Sequence, residues 1–140
     1  MNAPAGTGET IERLGFAQRQ VVQEYGYDSD VDDEFRFAVE DAVGSELEDE
    51  DYTGSADAAL LWWRADDGDL ADGLVDVIGT LSDGGFVIVL TPRPGLPGSV
   101  DVSDLDEAAQ STGFHTAGRT SVGGDWTATR VVARRATSRH

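Results

Sequence analysis

The sequence predicts an α/β domain with a mostly parallel sheet, helices on both faces and a closing antiparallel hairpin. Three observations carry this. Short apolar runs alternate with amphipathic stretches, the order that successive β-α-β units produce. Asp57–Trp63 (Asp-Ala-Ala-Leu-Leu-Trp-Trp) is almost continuously apolar, as a strand covered on both faces is. Two β-like runs near the end, Phe114–Val122 and Trp126–Ala133, flank Gly123-Gly124-Asp125, which reads as a hairpin turn.

The elements follow in order. Residues 1–10 begin with a Gly/Ala/Pro/Thr-rich stretch and are expected to be disordered. The domain proper then runs over residues 11–134, with a basic tail at 135–140. Arg19–Tyr25 is short, β-branched and ends at Gly26, which predicts a strand, with a short helix as the alternative. Ser29 or Asp30 is placed to cap a helix whose apolar stripe is Phe35, Ala38, Val39, Ala42 and Val43, with Gly44 as its stop. Acidic residues 46–55 read as a loop.

After the strand Asp57–Trp63, the run Asp66-Asp67-Gly68-Asp69 makes a turn and a cap. The stripe Leu70, Leu74, Val77, Ile78 and Leu81 gives a second helix. Asp83-Gly84-Gly85 turns the chain into the strand Phe86–Thr91, whose five apolar residues precede a threonine. Residues 92–98, with three prolines and two glycines, form an irregular connector. Ser103 with Asp106 has the spacing of a capping box, opening a short helix that stops near Gly113.

Composition narrows the chemistry. The chain has 140 residues, enough for one domain with its own core, and a net charge of −17. All 10 basic residues are arginines. Such an acidic surface repels phosphate-rich partners, so neither nucleic acid nor an anionic membrane is expected as a partner. With no cysteine, a disulfide framework, a thiolate metal site and a cysteine nucleophile are excluded. There is no apolar run of membrane-spanning length and no basic, apolar leader, so the expected location is the cytoplasm.

Asp57–Pro92 resembles the second half of Rossmann-like methyltransferases. The carrying residues are the buried strand, the helix up to Leu81, and Leu81-Ser82-Asp83-Gly84-Gly85-Phe86 leading into Val87–Leu90. The fold class this implies is a reduced Rossmann-like sheet. The resemblance also implies a cofactor loop after the first strand, yet that loop reads Tyr25-Gly26-Tyr27-Asp28-Ser29-Asp30, with one glycine. No intact S-adenosylmethionine or dinucleotide motif is present, and no acidic ribose-binding residue is placed at the end of a second strand. The cofactor is unknown.

A wider resemblance rests on Leu14-Gly15-Phe16, Val21–Asp28, Leu60–Arg64, Asp67–Leu70, Leu90-Thr91-Pro92 and Asp125-Trp126. These pieces resemble an actinobacterial family described as domain of unknown function 3052, for which no functional residues carry over.

Ligands of open parallel sheets bind at the carboxyl ends of the strands. On a methyltransferase-like strand order those ends gather Gly26, Tyr27, Asp28 and Asp30, then Trp63, Arg64 and Asp66, then Thr91 and Arg93. Aromatics, acids and two arginines suit a small-molecule or peptide site. Tyr27, Trp63, Arg64 and Arg93 are the expected lining for an acidic ligand or partner.

Simpler roles weigh against several of these residues. Trp62 and Trp63 face opposite sides of a strand, so each is expected beneath a helix. Arg64 is expected to pair with a neighbouring acid. Asp66–Asp69 lacks the ligand pattern of a calcium loop and reads as a cap. His115 and His140 have no triad partners, and no catalytic constellation is complete. No metal site is expected. The expected function is therefore non-catalytic binding or regulation, of an unknown small molecule or protein. The alternatives are a divergent S-adenosylmethionine- or nucleotide-binding enzyme, and an assembly role in which the hairpin edge pairs across a homodimer.

Overall fold

The computed structural model describes residues 7–133. Five strands form one sheet in the order β1-β2-β3-β5-β4. They are β1 (Val22–Tyr25), β2 (Ala56–Trp62), β3 (Leu81–Pro92), β4 (Phe114–Val122) and β5 (Trp126–Ala133). The first three are parallel, and β5 runs antiparallel to both β3 and β4. The helices are α1 (Thr7–Leu14), α2 (Asp33–Val43), α3 (Leu70–Ile78) and α4 (Val102–Ser111). The predicted fold class is the one observed.

Alternation along the central strands splits the core in two. Ala58, Leu60 and Trp62 face α1 and α2 with Ile11, Leu14, Phe16, Phe35 and Val39. Ala59, Leu61, Val87 and Val89 face α3 and α4 with Leu70, Leu74, Leu105 and Ala109. The neighbouring tryptophans divide as expected. Trp62 is fully buried in the first core, and Trp63 packs at the edge of the second.

Several expectations need correction. The chain is already helical at Thr7, inside the segment read as disordered, because Ile11 and Leu14 give α1 an apolar face that docks beside Phe16. Residues 1–6 and the basic tail lie outside the described residues. The first strand starts at Val22 rather than Arg19. Arg19 takes φ +74 and donates its N–H to the Val43 carbonyl at 2.9 Å, and Val21 N–H goes to Asp57 Oδ2 at 2.8 Å, so these residues form a turn.

The α2 cap is Asp32, which accepts from Phe35 N–H at 2.9 Å, not Ser29 or Asp30. Gly44 does end the helix, at φ +85. Leu81 belongs to β3, not to α3, which ends at Ile78. Ser103 and Asp106 form no capping box. The residue before α4 is Asp101, and Asp106 instead accepts from Thr116 Oγ1 at 2.8 Å and Arg119 at 3.1 Å, tying α4 to β4.

One feature was invisible in the pattern. The acidic loop after α2 runs alongside β1 for a single parallel bridge, Gln23 with Glu48. Glu24 N–H donates to the Glu48 carbonyl and Glu48 N–H to the Val22 carbonyl, both at 2.8 Å. Gln23 Nε2 adds bonds to the carbonyls of Asp49 and Tyr52, each 3.0 Å. The edge of β1 is thus covered rather than open.

Candidate functional site

The carboxyl ends of β1 and β2 meet α3 in a cleft of about 370 Å³. From the β1 side come Gly26, Tyr27 and Asp28; from β2, Trp63 and Arg64; from α3, Gly73 and Asp76; and from the acidic loop, Glu50.

Arg64 governs the shape of this rim. Its Nε–H donates to Asp30 Oδ2 at 3.1 Å, and a second group of the same guanidinium donates to Asp30 Oδ1. The remaining nitrogen donates to the carbonyls of Gly26 at 2.8 Å and Trp62 at 3.1 Å. Its plane lies over Trp126, 5.3 Å from the ring centroid, and Trp126 Nε1–H donates to the Asp30 carbonyl at 3.1 Å. Arg64 therefore clamps the loop after β1 onto the end of β2. Burial alone would lower its pKa, but the bond and charge of Asp30 outweigh this, and the net shift is upward. The same hydrogen bond holds the Asp30 carboxyl below its ordinary value.

Gly26 is a consequence of that clamp. It takes φ +77, and a Cβ there would lie 2.2 Å from the Trp62 carbonyl oxygen. Its N–H donates to Glu50 Oε2 at 2.8 Å, a contact between residues 24 apart in the chain.

Beneath the rim lies a second network. Glu24, 6% exposed, accepts from Arg36 through both carboxylate oxygens, at 2.6 and 2.9 Å, and from Trp62 Nε1–H at 2.9 Å. Arg36 lies over the Tyr27 ring, 4.7 Å from its centroid, leaving Tyr27 56% exposed beside the cleft. The Glu24 bonds raise the Arg36 pKa further above its already high ordinary value, so the guanidinium stays charged. Trp62 meets Phe35 and Trp126 edge-on, at 6.2 and 4.8 Å.

Of the residues expected at the site, Gly26, Tyr27, Asp28, Trp63 and Arg64 line the cleft, and Asp30 supports it through Arg64. Thr91 is buried in β3, and Arg93 is exposed and lies outside the cleft lining. Asp67 accepts from Arg64 N–H and Asp69 from Ala71 N–H, both at 2.9 Å, so the Asp66–Asp69 run does the work of turn and cap. Trp63 is a wall rather than a free platform. Its ring sits on Gly73, where a Cβ would come within 2.7 Å.

Sequence reasoning missed Glu50 and Asp76. Their signal was only their place in an acidic loop and on an exposed helix face. The cleft carries the carboxylates of Asp28, Glu50, Asp67 and Asp76, against the single guanidinium of Arg64. An acidic ligand entering here meets four carboxylates, while four of the five N–H donors of that guanidinium are already bonded within the chain. The expected grip of Arg64 and Arg93 on an acidic ligand has no geometry in this cleft.

A model of protein family DUF3052, described as a protein of unknown function, matches residues 11–135. The chain belongs to this family. An uncharacterized protein of Mycobacterium tuberculosis, Rv2239c, is 44% identical over 120 residues, covering 86% of this chain and 75% of that protein. Mb2263c of Mycobacterium bovis, also uncharacterized, matches to the same extent.

Solved structures extend the likeness at the level of fold. A SAM-dependent methyltransferase from Aquifex aeolicus superposes with a TM-score of 0.62 at 8% identity, covering 94% of each chain. The O-methyltransferase NcsB1 of neocarzinostatin biosynthesis, solved with S-adenosyl-L-homocysteine, gives 0.66 at 12% identity over 89% of this chain and 52% of its own. The DUF3052 chain thus has a methyltransferase-like fold.

Its cleft suits the cofactor of those enzymes only in part. Glu50 is an acid at the end of a segment bridged parallel to β1, where a Rossmann sheet keeps the acid that takes the ribose hydroxyls. For the amino-acid end, the cleft's one cationic side chain has four of its five N–H donors committed to Asp30 and two carbonyls, which leaves a single N–H and no bidentate fork for a carboxylate. The residues present do not fit the whole cofactor.

Proposed function

We propose that this DUF3052 protein is a non-catalytic binding protein. Its ligand is a neutral or cationic small molecule with a flat ring, held in the cleft at the carboxyl ends of β1 and β2. The observation that carries this is the charge of the cleft. Four carboxylates line it, and its guanidinium is bonded within the chain. A ring system has the exposed Tyr27 and the Trp63 wall to lie against. A cation is attracted by the carboxylates, and a phosphate is repelled. No nucleophile with its base and orienting group is assembled among the cleft residues, which favours binding over turnover.

The test is a thermal-shift panel of neutral, cationic and phosphorylated ring compounds at one ionic strength. A ligand at about 100 times its dissociation constant adds about 2.7 kcal/mol, a rise of several degrees. Neutral or cationic members are expected to give that rise, with the Asp28→Asn/Asp76→Asn variant responding less to the cationic ones. Stabilisation by phosphorylated compounds alone, acting through the cleft, would contradict the proposal.

The position of Glu50 favours a second reading, in which an adenosyl cofactor binds and the chain is a divergent enzyme. Under it, S-adenosylmethionine gives a calorimetric heat that Glu50→Gln abolishes. Absence of heat at millimolar cofactor removes this reading.

A further inference from the structure

A basic recess lies away from the cleft, between α1 and the β4–β5 hairpin. It encloses about 230 Å³ and is lined by Thr10, Arg13, Leu14, residues 117–120 and Arg130, with no aspartate or glutamate among the described residues. In a chain with 27 acids that is an unusual exclusion. The recess lies on the α1 face of the sheet, since Arg130 pairs in register with Ile88, whose side chain packs in the core on that face.

Arg130 is the central observation. Its guanidinium lies over the Phe86 ring, 5.2 Å from the centroid. Stacking uses the flat face and leaves the in-plane N–H groups to find acceptors. Its Nε is buried and has no hydrogen-bond partner among the described residues. A buried, unsatisfied, charged donor is costly, and such groups are usually met by a counter-ion or a hydrogen-bond acceptor.

The surroundings close over Nε on the α1 side and leave room at β4. Gly15, at φ +108, passes so close that a Cβ would lie 3.3 Å from Arg130 Nε and 3.1 Å from Phe86. Strand β4 breaks register between Thr116 and Gly118, and Gly118 has nothing within 4 Å of where its Cβ would be. Bulges often re-aim strands beside sites. Arg119 does not supply charge here, because it is bonded to Asp106 on α4. Arg13 lies in the last turn of α1, where the helix dipole favours a cation, and it adds charge at the mouth. The hydroxyls of Thr10 and Thr120 add donors of the kind that oxyanions accept from.

We propose that this recess binds a phosphate group, either free or as a small monoester, with Arg130 as its principal donor. Arg13 contributes charge, and the threonine hydroxyls complete the contacts. The site is independent of the cleft reading, because it shares no residue with that cleft.

The experiment is a titration of the full chain with inorganic phosphate and with glycerol phosphate, followed by amide chemical shifts, against chloride at matched ionic strength. Saturable shifts at residues 117–120 and 130 with a millimolar or lower dissociation constant are expected. Arg130→Gln is expected to weaken binding at least tenfold and Arg13→Gln severalfold, while Arg93→Gln, outside the recess lining, leaves it unchanged. Tighter binding of the ester identifies a phosphorylated metabolite as the source, and equal or weaker binding identifies free phosphate. If Arg130→Gln does not fold, Arg13→Gln and Thr120→Val carry the test. Shifts that match the chloride control, or that persist unchanged in the variants that fold, overturn the proposal.

Discussion

Glu24 holds three elements together through one carboxylate. Arg36 reaches it from α2 and Trp62 from β2, and Glu24 itself is on β1. Glu24→Ala removes the shared acceptor, leaving a mostly buried guanidinium with only its Asp33 bond and a buried indole N–H unpaired. Breaking such a pair from one side costs about 3–5 kcal/mol. We expect a loss near the lower end, about 3 kcal/mol, because Arg36 retains some access to water and an exposed bond to Asp33. Urea denaturation measures it, and a loss below about 1 kcal/mol would show that the network is not coupled to folding.

Asp30 makes a second residue-scale prediction, on pH. Its folded pKa is depressed by Arg64, so below the ordinary carboxyl range the unfolded chain binds the proton more readily. The contribution is fully present above about pH 4 and is lost as pH falls through the depressed folded value. Asp30→Asn is therefore expected to flatten the fall in urea midpoint between about pH 5 and pH 3, while lowering stability at pH 7. An unchanged slope would show that the Arg64 clamp does not involve this carboxylate in solution.

At the scale of elements, the turn after β1 is where the fold is most constrained. Gly26→Ala places a Cβ against the Trp62 carbonyl in a left-handed conformation. The conformation alone costs about 1–2 kcal/mol, and the contact forces the loop to move. We expect a lower melting temperature and a loosened Arg64 clamp, seen as faster amide exchange at Tyr27 and Asp28. Exchange unchanged from the parent would mean that the turn tolerates a side chain.

The elements also show what the sequence could reveal. β2, β3, the hairpin and the stripe of α2 were legible because each has a strong period or a continuous apolar run. α1 was not, because its two buried side chains, Ile11 and Leu14, follow a Gly/Ala/Pro/Thr-rich start that hides a short amphipathic turn. The cap of α2 was misplaced, although the cap in the acidic run Asp66–Asp69 was read correctly. Asp32 prevails over Asp30 because Arg64 claims Asp30 from a strand 34 residues away. The Glu48 bridge was illegible because a single ladder contact leaves no period.

At the scale of the molecule, the charge has a layout that composition alone does not show. Acids gather at the carboxyl ends of the parallel strands, and a recess lined by arginines, with no acid among its described residues, lies on the α1 face beside the hairpin. That Gly26, Tyr27, Asp28, Trp63 and Arg64 lie together was legible, since open-sheet geometry gathers strand ends, whereas the place of Thr91 and Arg93 outside that lining was not. Nor were the roles of the rim residues, because whether an arginine is free or committed depends on contacts between distant segments. Among the described residues no helix is long and apolar enough to cross a membrane.

The measurement that bears most directly on the central claim is calorimetric titration with a matched pair, a neutral nucleoside and its monophosphate, carried out in the Arg130→Gln background so that the basic recess is silent. The account predicts that the nucleoside binds measurably tighter than the monophosphate, and that raising salt narrows the gap as the cleft's carboxylates are screened. A monophosphate that binds tighter than its nucleoside in that background would show that the cleft accepts anions, and would contradict the account.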